Sequence, residues 1–151
     1  MTRIMLDSEV LMDLLVRREP RYAAVRRLVV LAATGEYELW TSSTQLAALV
    51  DEVAQGSFEL AQACRNYLHS LHRYIHITSP SERGVASVLS SPWMDVSHAL
   101  VHQAAVELGA DAIVANDARG YLLSSMPVMN AAECMEWLEN TNRISPVEIE
   151  I

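Results

Sequence analysis

Apolar and polar positions along this chain alternate between two periods. The short strand-like runs are Ile4-Met5-Leu6, Glu38-Leu39-Trp40, Tyr74-Ile75-His76-Ile77, Ala112-Ile113-Val114-Ala115 and Met126-Pro127-Val128-Met129. They have the length and the aliphatic, β-branched or aromatic content of buried strands. Between them apolar residues recur every three or four positions, as on helices with one buried face. The first such helix carries Val10, Leu11, Leu14 and Leu15. It is predicted to run from Ser8 to near Glu19-Pro20, because the residue before a proline avoids the helical region. Pro20 then opens a second helix through Val25, Leu28 and Val29 to Gly35, glycine being a common C-terminal stop. Ser42, Ser43 or Thr44 starts a third that ends at Gly56, and a fourth runs from Phe58 to Leu71. Pro80-Ser81 opens a short fifth, Asp95 caps a sixth over Val96 to Leu108, and the last covers Ala131 to Leu138. Ser90 to Met94 interrupts the pattern as a loop over the sheet edge.

Strands that alternate with helices predict an α/β/α sandwich around a central parallel sheet of about five strands. Pro127 places the fifth strand at a sheet edge, since proline offers no ladder hydrogen bond. The reading is one domain over residues 1–139, followed by a tail over 140–151. The tail alternates apolar and acidic residues in Val147-Glu148-Ile149-Glu150-Ile151, a pattern suited to an added edge strand on this chain or on a partner.

Composition narrows the class. At 151 residues, 51% hydrophobic, the chain can bury a core without staples. No apolar run approaches a membrane span, and Asp7, Glu9, Asp13 and Glu19 stand where a signal peptide would be apolar, so a cytoplasmic location is expected. Cys64 and Cys134 are isolated, which suggests neither a disulfide framework nor a zinc site. A net charge of −8 argues against a wide phosphate-binding footprint. Against that background Arg17, Arg18, Arg21, Arg26 and Arg27 form a local cluster. Such a cluster either grips phosphates or an acidic partner, or simply solvates two helix ends.

Candidate chemistry follows from position. Asp7 closes the first strand and Asp117 follows the fourth, so both belong at the carboxyl edge of the sheet, where ligands bind in open α/β folds. Asp7 also suits a plain helix cap. If the two strands are neighbours, two carboxylates converge, and like charges at close range are usually resolved by a divalent cation. Bound magnesium could activate water against a phosphodiester.

Asp7-Ser8-Glu9 after an apolar strand, the run Ser42 to Val50, the Asp95-Val-Ser-His-Ala-Leu helix start and Gly109-Ala-Asp-Ala-Ile-Val-Ala-Asn-Asp117 together resemble the PIN domain family. The resemblance covers about residues 3 to 138. It implies a parallel sheet between helices and, in active members, magnesium- or manganese-dependent ribonuclease activity from three or four acids. Many small bacterial members are toxins paired with an antitoxin.

Two of the four acids implied by that resemblance are replaced here: the third-helix position falls on Ala48 and the Asp95-helix position on His98. Glu9 stands where the family usually has Asn, and Ala115 where it usually has Thr or Ser. Alanine can neither ligate a metal nor deprotonate water. His98 admits three readings: a polar residue at a helix start, a substitute metal ligand favouring manganese or zinc, or an imidazolium that replaces the cation between Asp7 and Asp117. Glu9, Asp51, Glu52 and Asp95 lie near enough in sequence to compensate in part for Ala48. Two functional expectations result. One is a weak metal-dependent endoribonuclease, with Asp7 and Asp117 holding Mg2+ or Mn2+ and His98 assisting. The other is a metal-free binding module for RNA or an antitoxin-like protein, with the arginine cluster or the tail as its contact. The apolar helices and the tail are also compatible with a homodimer.

Overall fold

The computed structural model describes residues 1–145. Among the described residues five strands, β1 (Thr2–Leu6), β2 (Tyr37–Ser42), β3 (Ile75–Thr78), β4 (Ala112–Val114) and β5 (Val128–Met129), form one sheet in the order β3-β2-β1-β4-β5. Every pairing is parallel, with Ile4 opposite both Leu39 and Ala112. The described residues also form seven α-helices, six between strands and the last after β5: α1 (Ser8–Leu15), α2 (Arg21–Ala32), α3 (Ser43–Ala54), α4 (Phe58–Leu71), α5 (Glu82–Leu89), α6 (Val96–Leu108) and α7 (Ala131–Asn140). The α/β sandwich expected from the sequence is therefore the observed fold. No helix among the described residues is long and apolar enough to cross a membrane.

The central strand shows why both faces are covered. Side chains alternate along a strand, so Ile4 and Leu6 enter one core with Val10, Leu28, Leu39, Cys134 and Leu138. Met5 points the other way, into a second core with Val101, Ala104, Ala105, Ile113 and Tyr121. The small residues Ala104 and Ala105 let α6 lie close to the sheet. With no face left for water there, the inner part of β1, Ile4–Leu6, reads as an unbroken apolar run.

Helix α1 stops four residues short of the position expected from Pro20. Arg17 adopts a left-handed conformation (φ 53°), and the Arg18 amide donates back to the Asp13 carbonyl at 3.1 Å. That bond closes the helix in a Schellman-type turn, a geometry usually assigned to glycine. The Arg17 guanidinium lies 5.9 Å from the Tyr22 ring centroid, so its side chain packs against α2. A single 3₁₀ turn over Ala118–Tyr121, absent from the sequence-based expectation, follows β4.

At the opposite end of the sheet, Ile144 packs into the first core, and Ser145 donates to Glu36 from its amide and hydroxyl. The expected edge strand in Val147–Ile151 lies outside the described residues.

Candidate functional site

The strand order places β1 beside β4, and their carboxyl ends open into a cavity of about 350 Å³. Asp7, Glu9, Arg21, His98, Asn116, Asp117, Gly120 and Tyr121 line it. Asp7, Asp117 and His98, singled out from the sequence, thus share one cavity although they come from three distant segments. Ala48 is exposed on α3 and is not part of the lining. Asp51 faces a different cavity at the α3–α4 turn, with Ala54, Gly56 and Phe58.

Asp7 is almost completely buried, at 4% exposure. Its Oδ2 accepts the Glu9 amide at 3.0 Å, capping α1. Its Oδ1 accepts the Tyr121 hydroxyl at 2.5 Å. Burial and the adjacent Asp7 carboxylate hold the Tyr121 phenol well above its ordinary pKa, so it remains a donor. The side chain that caps α1 thus also lines the cavity.

Asp117 is exposed and already paired. Arg119 Nε reaches its two oxygens at 3.0 and 3.1 Å, and Nη2 reaches Oδ2 at 2.8 Å. The Arg119 amide also donates to Oδ1, capping the 3₁₀ turn. This fork holds the Asp117 carboxyl down to about 2.

His98 occupies the first turn of α6. Its amide donates to the N-cap Asp95 at 3.0 Å, and its Nδ1 lies 3.2 Å from the other Asp95 oxygen, off the hydrogen-bonding direction. Nε2 points toward Asp7, 3.9 Å from Oδ1. The ring is tilted against Tyr121 with centroids 4.7 Å apart. His102, one turn on, faces elsewhere: it stacks on Trp93 at 4.9 Å and accepts the Ser125 amide. The two histidines do not form a shared ligand face.

The arginine cluster divides. Asp13, with no exposed side-chain surface, sits between Arg18 Nε at 2.8 Å and Arg21 Nε at 3.0 Å, and it also accepts Asn116 Nδ2 at 2.7 Å. Arg18 reaches Glu9 as well. Arg18 and Arg21 are thus tied to the chain's own acids, whereas Arg26 and Arg27 are exposed on α2 and form no ion pair among the described residues. Asp13, Gly120 and Tyr121 escaped the sequence reading. For Asp13 a signal existed, because it lies three residues after Val10 and so belongs to the buried face of α1. Gly120 and Tyr121 carry no comparable mark.

A hard divalent cation asks for several free oxygen donors. Here each oxygen of Asp7 and of Asp117 already has a donor, and Glu9 is paired with Arg18. Among the described residues no group of three His, Cys, Asp or Glu side chains is placed to hold a metal. The donor set does not fit magnesium as it stands.

Comparison with known proteins accounts for the architecture. No curated protein matches the chain. Among solved structures it is similar to VapBC2 from Rickettsia felis bound to a DNA fragment from its promoter, with a TM-score of 0.64 and 15% identity over 85% of this chain and 98% of that one. It is similar to VapBC-1 from nontypeable Haemophilus influenzae, with a TM-score of 0.63 and 13% identity over 87% and 99% of the two chains. FitAcB from Neisseria gonorrhoeae gives a TM-score of 0.60 and 15% identity over 85% and 98%. At such identities these likenesses establish the fold. The PIN domain family model matches residues 3–119, most of the chain, and on that match the chain belongs to the PIN domain family.

Proposed function

We propose that this chain is a PIN-domain protein of the toxin–antitoxin type that has lost its nuclease activity and acts by binding a protein partner. The observation that carries this reading is the state of the two remaining acids. Tyr121 and the α1 amide satisfy Asp7, Arg119 satisfies Asp117, and the two other positions hold Ala48 and His98. Loss of carboxylates and engagement of the rest weaken a site whose affinity depends on ligand charge count. The likeness to VapBC and FitAcB structures supports an antitoxin-like protein as the partner class.

A second reading, a residual endoribonuclease dependent on Mg2+ or Mn2+, draws on the convergence of Asp7, Asp117 and His98 on one cavity. It requires Arg119 and the Tyr121 hydroxyl to leave the acids. Chelator-stripped protein, supplied with either metal and a set of single-stranded and structured RNAs, separates the two. The expected result is no cleavage beyond that of Asp7→Asn. Metal-dependent cleavage that Asp7→Asn abolishes would overturn the binding-module reading.

A further inference from the structure

The space between Asp7 and Asp95 holds an imidazole that the surrounding residues are shaped to receive. Gly120 provides the clearest evidence. A Cβ built at this position would come within 2.7 Å of His98 Cε1 and 2.8 Å of Nδ1. Gly120 is not among the residues with positive φ, so its backbone would accept a side chain. What excludes one is the Nδ1–Cε1–Nε2 edge of the ring, packed against the glycine.

Three further contacts complete the seat. Tyr121 flanks the ring at 4.7 Å and is itself braced edge-on by Trp93 at 6.2 Å. Asp95 fixes the residue twice, at the His98 amide and beside Nδ1. Nε2 is left directed at Asp7. Four residues from two separate segments thus hold one orientation of one side chain, at the position where the PIN resemblance expects an acid.

We infer that His98 is a resident side-chain substitute for the divalent cation: its imidazole, seated by Gly120, Tyr121 and Asp95, fills the space beside Asp7 that a metal ion would need. This deepens the binding-module reading and rests on it, because it gives the physical reason why the centre stays free of metal. The seat also explains how α6 can approach the end of β1 across a cavity rich in acids. The ring places a polar group between Asp7 and Asp95, 3.9 Å from the one and 3.2 Å from the other.

The experiment is a Mn2+ titration of the full chain, stripped of metal, followed by the electron paramagnetic resonance signal of the free ion and by thermal melts. Wild type, His98→Asp and Asp7→Asn with His98→Asp are compared. The wild type is expected to leave free Mn2+ unchanged and its melting temperature unmoved. His98→Asp, which exchanges the ring for a carboxylate, is expected to bind Mn2+ at least about tenfold more tightly and to be stabilised by it. The added Asp7→Asn change is expected to abolish that gain. If His98→Asp does not fold, His98→Ala empties the same seat, and the same direction of change is required of it. A wild type that binds Mn2+ as well as the variants do, or folded variants that gain nothing, would overturn the inference. The RNA assay separates this from the parent reading. An inert wild type whose His98 variants gain no metal sinks only the substitution, whereas RNA cleavage by the wild type sinks the binding module itself.

Discussion

Asp13 offers the sharpest test of what the arginine cluster does. Its carboxylate is wholly buried, whereas the Arg18 and Arg21 side chains keep 39% and 52% of their surface exposed. Removing the acid and removing the bases therefore have unequal consequences. Asp13→Asn keeps the shape and releases two arginines that water can still solvate. The loss is that of charged contacts with half-exposed partners, about 2 kcal/mol once solvent screening is allowed for. Arg18→Ala with Arg21→Ala instead leaves a buried carboxylate with only the Asn116 amide, the situation that typically costs about 3–5 kcal/mol. For a chain of this size each kcal/mol moves the melting temperature by roughly 2–4 °C. The acid variant should then melt about 4–8 °C below wild type and the double arginine variant about 6–20 °C below it. Circular dichroism melts and urea titrations measure both. Adding Asp13→Asn to the double arginine variant should restore part of the stability, because the uncompensated charge disappears. A triple variant less stable than the double, or an acid variant more damaging than the double, would refute the reasoning. Either result would make Arg18 and Arg21 candidates for contact with a partner, alongside Arg26 and Arg27.

Other expectations can be measured separately. The Asp117 carboxyl should titrate near pH 2 by NMR and return to the ordinary aspartate range in Arg119→Ala. Since its folded pKa is depressed, any stability it contributes is in place above the unfolded value of about 3.9 and fades as the pH falls through about 2. Tyr121→Phe should leave Asp7 Oδ1 without its hydroxyl donor and lower stability by about 1–3 kcal/mol, seen as a lower urea midpoint; no change would mean that water replaces the hydroxyl at no cost. Cys134, fully buried with its thiol pushed up to about 12 by burial, should resist alkylation in the native protein at pH 8 and react on unfolding, as mass spectrometry would record.

Local chemistry made much of this molecule legible before any coordinates. Asp95 caps α6 and Gly109, with φ 76°, ends it, because a side-chain acceptor and a left-handed residue are what the two ends of a helix need. The apolar run Ile4-Met5-Leu6 had to be a buried strand, and Asp7 had to stand at its exit. β5 lies at the edge of the sheet, as expected from the sequence. The α1 terminus was misplaced because Pro20 looked like the stop, whereas Arg17 closed the helix by adopting a conformation that composition does not reveal.

The sequence by itself therefore determined the alternation of elements, several of the residues that cap them and the addresses of Asp7 and Asp117. These depend on interactions a few residues long, and periodicity records them. Tertiary structure decided how those addresses are occupied. The order β3-β2-β1-β4-β5 sets β4 against β1, so Tyr121 can reach Asp7 across 114 positions of chain and Asn116 can reach Asp13 across 103. It also lays Gly120 against His98 and buries Asp13 among cations that look surface-exposed in the sequence. A carboxylate looks alike in sequence whether it is free to bind a metal or already satisfied. For Asp117 the donor, Arg119, is local, but Tyr121 on Asp7 and Asn116 on Asp13 come from distant segments, and only the packed fold supplies them.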